Sequence, residues 1–534
     1  LKAEAKDFDG KMNKQQNRLL GLDKIYDLIE VPGNMLEAVK RYKINVERLS
    51  LPALEEAYKR RALFMEELKN NTHPKWNQLF AHVEEIRPQN FVNRIPAIHE
   101  LFELKSFVFH YLELIKYARI RGIVHYDFPE LQELFRLLDP EGSGIPFFRL
   151  SPLYSSLLQE CDTRRQDLSR RLKHSRALFL DKARRDLAID NLKEEFVIGR
   201  NNHDLLLKIQ NSNFFILKRE NIANLIFMLA DSPESMRIKE ELALLNKEIE
   251  AEEHRILGFL AEKIACFEPE IKRAIAGIKE AGWDFSLASF AVRYRACLPE
   301  IGESIELVNA RNLPLEIFLN EHKRLYQPLY ISFSSKANLI TGPNMGGKTS
   351  ILKCLAQFAH LVRRGIPLPA EKLSMPLYDF IYYNHANEGD NLSSFGAEVV
   401  AFCQALNQKG RGLFLLDEFA KGTNPREGEA IATAVITYLS RTDHTTVAAT
   451  HFTAPALLKD INQYQIKGIE SQLDNIVNED IGQRLRILAE AMDYNLIRLS
   501  DNQKPPMDAL RIARILGLPE EILELTPKEQ DCLQ

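Results

Sequence analysis

The sequence predicts an α + α/β protein: a mostly helical N-terminal core with long lever helices, then an α/β P-loop domain and a short helical tail. Three observations carry this. From residue 14 to roughly 310, charged segments place apolar residues at steps of three and four, the period of an amphipathic helix, and few strand-like runs interrupt them. From about 330, buried strand-like runs alternate with helical stretches, the pattern of a parallel sheet. At 534 residues, 45% hydrophobic, the chain has material for about three to four domains with real cores. The expected division is a helical core over 1–162, lever helices over 163–300 with a small tip at about 186–231, the α/β domain over 301–500, and a helical element over 501–534.

Composition excludes several classes. With 70 Lys+Arg against 74 Asp+Glu the formal net charge is −4, too small an imbalance, beside so many apolar residues, for a disordered chain. A membrane span needs about 18 consecutive apolar residues, and runs such as Ile431 to Leu439 stop far short. A soluble, cytoplasmic protein with no membrane partner is expected. The start, Leu1 to Asp7, is charged and lacks the apolar stretch of a signal peptide, and an initial Leu leaves room for residues upstream. Cys161, Cys266, Cys297, Cys354, Cys403 and Cys532 form no CxxC pair, which argues against a zinc ribbon or redox motif. Buried thiols in a reducing compartment are the expectation. Near-neutral charge leaves nucleic-acid binding open, because a local stripe suffices for it.

The clearest helix starts at Ser232-Pro233-Glu234, with Ser as N-cap and Pro at the first helical position. Ile238, Leu242, Leu245, Ile249, Ile256 and Phe259 then form one apolar stripe. A partner runs over 163–185, with Leu168, Leu172 and Phe179 on one face. Its basic residues, among them Arg164, Arg165, Arg170, Lys173, Arg176 and Arg184, point all around the helix, which suits a solvated lever as well as a nucleic-acid contact. Between the two helices, Phe196 to Arg200 and Phe214 to Arg219 resemble short strands ending in basic residues.

The α/β part holds the chemistry. Ala337 to Thr341 reads as a buried strand running into Gly342-Pro343-Asn344-Met345-Gly346-Gly347-Lys348-Thr349-Ser350 and then a helix, a full GxxxxGK[ST] in its required context. Glycines let backbone N–H groups close around phosphates, Lys348 supplies charge to the β and γ oxygens, and the Thr349 hydroxyl suits Mg²⁺. A second strand, Gly412 to Leu416, ends in Asp417-Glu418, the acidic pair of a Walker B site: Asp417 for the Mg²⁺ shell, Glu418 to polarise water. A third, Thr445 to Thr450, delivers His451, read as a γ-phosphate sensor. Ser393 and Ser394 open a helix continuing to Leu406. In an isolated ATPase they would cap it; in a dimeric one they would reach the γ-phosphate held by the partner.

Together these strings resemble the MutS family of ATPases, within the wider ABC class. Gly342 to Lys348 is close to that family's most distinctive string, and Ser393-Ser394-Phe395 is similar to its serine signature. Asp417 to Gly428 resembles its Walker B and following loop, with Gly422-Thr423-Asn424-Pro425-Arg426-Glu427-Gly428 nearer the shorter relatives that do not survey mismatches. Thr450-His451-Phe452, then Ala509 to Arg514 and Leu516 to Glu521, look like the family's ending and its helical dimer element. The resemblance is firm over about 300–525, moderate over 232–300 and weak before that. It implies ATP and Mg²⁺ sandwiched between two subunits, with Gly342 to Ser350 on the nucleotide, Thr349 and Asp417 on the metal, Glu418 and His451 catalytic, and Ser393 and Ser394 completing the opposite site. The Thr349-Ser350 order, reversed from the family's usual one, keeps the hydroxyl.

Departures sharpen the expectation. Mismatch-detecting members carry a separate N-terminal domain with a Phe-x-Glu wedge. Here Phe64-Met65-Glu66 fits the letters but falls in a charged helical stretch, and no nuclease-like C-terminal extension follows Leu523. The chain is therefore expected to lack the mismatch-recognition domain. Two functions remain. One is an ATP-driven dimeric clamp, homodimer or heterodimer with a related MutS-like chain, on structured or distorted DNA. The other is an ATP-dependent reactivase of a cobalamin-dependent aminomutase of the lysine 5,6-aminomutase type.

Overall fold

The computed structural model describes residues 14–46, 48–87, 94–334, 336–342, 347–384, 394–469, 483, 487, 492–499 and 508–524. Packing divides the chain into two units, one of Leu1–Ala81, Arg119–Tyr126 and Ile278–Gln534, the other of His82–Ala118 and Asp127–Gly277. These limits differ from the expected ones at 162 and 300. The first falls inside a helix, Ser156–Leu187, and residues 82–118 and 127–162 belong with the levers. Each unit gathers segments distant in sequence, which local periodicity does not reveal.

The second unit holds the lever pair. Ser156–Leu187 and Pro233–Ala265, of 32 and 33 residues, lie side by side. Serine caps start both: Ser155 accepts from the Leu158 N–H at 3.4 Å and Ser232 from the Ser235 N–H at 3.1 Å. Ile238, Leu245, Ile249, Ile256, Leu260 and Ile264 form the buried stripe of one, Leu158, Cys161, Leu168, Leu180 and Ala183 that of the other. Phe259, expected on the stripe, is 46% exposed, and its neighbour Leu260 takes the core place. At a period of 3.6 the stripe drifts by one residue over a helix this long.

The tip is an antiparallel sheet in the order β1-β3-β2, with β1 Glu195–Gly199, β2 Phe215–Glu220 and β3 Asn224–Leu229. The central strand, β3, escaped the sequence reading. It packs Leu225, Phe227 and Leu229 against Ile198, Leu206, Ile209 and Phe215, together with Leu180 and Ala183 of the lever. Several basic groups of this unit are paired with acids: Arg176 with Glu194 and Asp231 at 2.9 and 3.1 Å, Arg200 with Glu220 at 2.8 Å, Lys218 with Glu195 at 2.5 Å. Arg164, Arg170, Arg171 and Lys173 stand exposed along the lever.

The first unit contains two sheets. Strands begin at 300, earlier than the change of texture at 330: β4 Glu300–Ile301, β5 Ile305–Ala310, β6 Leu329–Phe333 and β8 Lys372–Met375 form a sheet in the order β4-β8-β5-β6. The other is built from β7 Ala337–Thr341, β9 Phe380–Tyr383, β10 Gly412–Asp417, β11 Thr445–Ala449, β12 Asn462–Ile469 and β13 Met492–Arg498, in the order β13-β12-β7-β11-β10-β9. All its pairings are parallel except β12 with β13. Helices Lys348–Val362, Ser394–Leu406 and Pro425–Ser440 follow β7, β9 and β10. Two short helices, Asp508–Leu516 and Glu520–Glu524, lie in the tail.

A buried ion cluster ties the N-terminal helices to this unit. Asp284, 1% exposed, accepts from Arg60 Nε at 2.9 Å, Arg61 Nε at 2.7 Å and the Tyr126 hydroxyl at 3.0 Å. Arg61 also donates to the Gly365 carbonyl, just beyond helix Lys348–Val362. Phe64, the letter-match to a wedge, is fully buried in helix Leu51–Leu68 against Trp76 and Phe285, with ring centroids 5.3 and 6.0 Å away. It is a core residue. The thiols depart from expectation: Cys161 and Cys354 are buried, but Cys266 and Cys403 are exposed, all free. Cys532 lies outside the described residues. Among the described residues no helix is long and apolar enough to cross a membrane.

Removing Asp284 leaves two guanidinium groups without their shared carboxylate. Asp284→Ala should cost on the order of 3–5 kcal/mol in chemical denaturation, whereas Arg273→Ala, which breaks the exposed pair with Asp127, should leave the denaturation midpoint essentially unchanged.

Candidate active site

Parallel pairing aligns three strand ends. In register, Asp417 of β10 faces Ala449 of β11, and Ala449 faces Ile340 of β7. One or two residues further, the strands release Glu418, His451 and Gly342 at the same edge of the sheet, where ligands of parallel sheets collect.

Gly342 and Gly347 adopt left-handed conformations, φ +136° and +78°. A side chain at Gly347 would also stand 3.0 Å from the Tyr494 ring, and one at Gly342 3.3 Å from Ile466. Glycine is demanded there by backbone and by space. Helix Lys348–Val362 begins directly after Gly347 with no side-chain cap, so its positive N-terminal end faces the glycine turn. Lys348 is buried, its Nζ donating to the Gly342 carbonyl at 2.6 Å. Burial lowers its pKa, opposed by the nearby carboxylates of Glu418 and Asp417. Pro343, Asn344, Met345 and Gly346 lie outside the described residues.

Across the cleft, Thr349 hydrogen-bonds the Asp417 carboxylate, and the Tyr383 hydroxyl donates to Asp417 Oδ2 at 3.4 Å. Burial raises the Asp417 pKa; the Thr349 bond opposes the rise and Glu418 adds to it. A hydroxyl held against a carboxylate is a hard oxygen pair of the kind Mg²⁺ takes. Ser350 is exposed on the first turn of the helix.

Glu418 has φ +50°, and Ala420 φ +64°, both unusual for residues with a Cβ. The Glu418 N–H is tied to the Ala449 carbonyl at 2.8 Å. Its carboxylate pairs with Lys421 and stands 3.7 Å from His451 Nδ1. Burial pushes the Glu418 pKa up, but the Lys421 bond and charge, with His451 and Lys348, outweigh it and hold the carboxyl below its ordinary value. The segment after His451 is anchored by Glu429, which accepts from the N–H groups of Thr453 and Ala454 at 2.8 and 2.7 Å and from the Thr453 hydroxyl at 3.0 Å.

The structure thus brings Lys348, Thr349, Asp417, Glu418 and His451 to one cleft. Ser394 is the first residue of helix Ser394–Leu406, and Ser393 lies outside the described residues. The sequence reading missed Lys421, three residues after Glu418, and a part-buried link between Asn384 and Glu398 at 2.6 Å. Acids and amides in a signature segment invite attention, yet nothing in their spacing says that these two meet.

Such an arrangement defines the class of α/β proteins in which a glycine-flanked strand-to-helix connection faces an acidic strand end. Comparisons narrow the class. Residues 338–533 match the family model described as MutS domain V. The chain is 26% identical over 465 residues to the Endonuclease MutS2 of Halothermothrix orenii, covering 80% of this chain and 54% of that protein. It is 31% identical over 288 residues to the Endonuclease MutS2 of Solidesulfovibrio magneticus, covering 53% and 35%. It is 27% identical over 305 residues to the DNA mismatch repair protein MutS of Lysinibacillus sphaericus, covering 54% and 33%. The chain spans about a third to a half of the length of these curated relatives. The chain is similar to MutS-family proteins, and residues 338–533 match their domain V.

Glu418 ionises early because Lys421 holds it, so the pair's contribution to stability is present above the unfolded-state pKa and is lost as pH falls through the depressed folded value. Lys421→Ala should raise the Glu418 pKa, read by carboxyl carbon NMR titration with Glu418→Gln assigning the resonance; an unchanged value would contradict the pairing.

Proposed function

We propose that the chain is an ATPase whose nucleotide cycle drives a dimeric clamp on structured or distorted DNA. The observation that carries this is the meeting of Lys348, Thr349–Asp417, Glu418 and His451 at three adjacent strand ends. Gly342 to Ser350 binds ATP, with Lys348 released from the Gly342 carbonyl to the β and γ oxygens. Thr349 and Asp417 hold Mg²⁺, which supplies charge neutralisation of the phosphates when bound. Glu418 orients the attacking water and His451 senses the γ-phosphate. Ser393 and Ser394 complete the site of the second subunit, a copy of this chain or a related one.

DNA as the clamped substrate is supported by the names of the relatives, which include a DNA mismatch repair protein and endonucleases, and by the exposed arginines of the lever. Those names favour DNA over a cobalamin-dependent aminomutase.

Two measurements test this reading. Lys348→Ala should abolish binding of a fluorescent ATP analogue, and Glu418→Gln should retain ATP while accumulating a dimer on size exclusion; normal turnover in Glu418→Gln would refute its role. With ATP, binding to branched DNA should weaken on the order of 10³-fold or more between about 50 and 200 mM salt. No binding to branched, duplex or single-stranded DNA at low salt would sink the clamp.

A further inference from the structure

Asn384 and Glu398 form a hydrogen-bond relay whose every direction is fixed. Asn384, buried at the end of β9, accepts the Asp417 N–H at its Oδ1. Its amide nitrogen donates both hydrogens, one to the Asp417 carbonyl at 3.0 Å and one to Glu398 Oε1 at 2.6 Å. The other oxygen, Glu398 Oε2, accepts the Ala420 N–H at 3.0 Å. Because a backbone N–H and a backbone C=O of the same residue hold the two ends of the amide, Asn384 cannot flip without breaking both. Glu398 is therefore a double acceptor facing two N–H donors.

The relay spans the turn that presents Glu418. Asp417 precedes that residue and Ala420, itself left-handed, follows two places later. Glu418 is held in its own left-handed conformation between two anchored neighbours, and its carboxylate is aimed at the edge where Lys348 and His451 lie.

We propose that Asn384 and Glu398 are positioning residues for hydrolysis, fixing the Asp417–Ala420 turn so that Glu418 points into the cleft. The proposal rests on the reading of this site as an ATPase. It also gives the helix opened by Ser394 a second task. Four residues from that start, the same helix holds this chain's own acidic turn through Glu398.

The donor directions supply the test. Glutamine has the shape of glutamate but puts an NH₂ against an N–H, and an aspartate in place of Asn384 puts a carboxylate against a carboxylate. Glu398→Gln and Asn384→Asp should each lower kcat for ATP by about 10- to 100-fold with KM changed by less than about 3-fold, the loss expected when an outer-shell partner is removed. In the N384D/E398Q double variant the introduced amide donates to the introduced carboxylate and its oxygen still accepts from the Ala420 N–H, leaving only the Asp417 carbonyl without its donor. Turnover should rise above that of Asn384→Asp alone, the single variant with the more like groups opposed. Asn384→Ala, which removes the bridge without opposing like groups, gives the same loss by an independent route and replaces any single variant that fails to fold. Equal turnover in Glu398→Gln and the unaltered chain, or a double variant no better than the worse single one, overturns the proposal while leaving the ATPase intact. Absence of hydrolysis by the unaltered chain overturns both.

Discussion

The parallel pairing of β7, β11 and β10 is the constraint on which the site depends. Parallel strands bring their C-terminal ends to the same edge, and the observed register sets Ile340, Ala449 and Asp417 abreast. A slip of one residue would turn each inward side chain outward and move Asp417 away from Thr349. The register is secured by burial: the whole of β7 and β11, and all but the last residue of β10, are buried. Leu339, Phe414, Leu416 and Ala448 share one core with Phe402, Ile436 and Leu439 of the crossover helices. Hydrophobic packing thereby fixes where the charged groups stand.

Beyond the strand ends the backbone is held by polar anchors as well as by packing, with Phe419 and Ala420 buried in the same core. Glu429 binds the segment after His451 through two N–H groups and a hydroxyl. Asn384 and Glu398 do the same for the turn after Asp417. Left-handed residues with a Cβ persist only where the surroundings over-determine them, and at Glu418 and Ala420 the surroundings are these bonds together with the core that buries Ala420. The Lys348 ammonium, tied to the Gly342 carbonyl, and the Glu418 carboxylate, tied to Lys421, are each satisfied by a partner on the chain itself. A bound phosphate would compete for both cations.

Much of this was legible in the sequence where the physics is local. Ala337 to Thr341 and Gly412 to Leu416 are nearly unbroken apolar runs of strand length, and the glycines at 342 and 347 sit where left-handed backbone is required. The lever helices declared themselves by period and by the Ser232 cap. Local signals failed where structure comes from afar. Strand β3 lies in a short apolar run that periodicity does not distinguish from helix, and only its two neighbours make it a strand. The early strands at 300–310 are short and half-exposed. The partition into units depends on Asp284 meeting Arg60 and Arg61 across more than two hundred residues. Asn384 and Glu398 are 14 residues apart and meet only because helix Ser394–Leu406 folds back beside β9.

The central claim is that three buried strands converge their ends on one Mg²⁺-dependent ATP-hydrolysing centre. Phosphate release from saturating ATP, measured on the purified chain and on Asp417→Ala with and without Mg²⁺, tests it most directly. The account predicts Mg²⁺-dependent turnover in the unaltered chain, lost in Asp417→Ala while its circular dichroism spectrum stays the same. Equal turnover in the two proteins, or turnover indifferent to Mg²⁺, would contradict it.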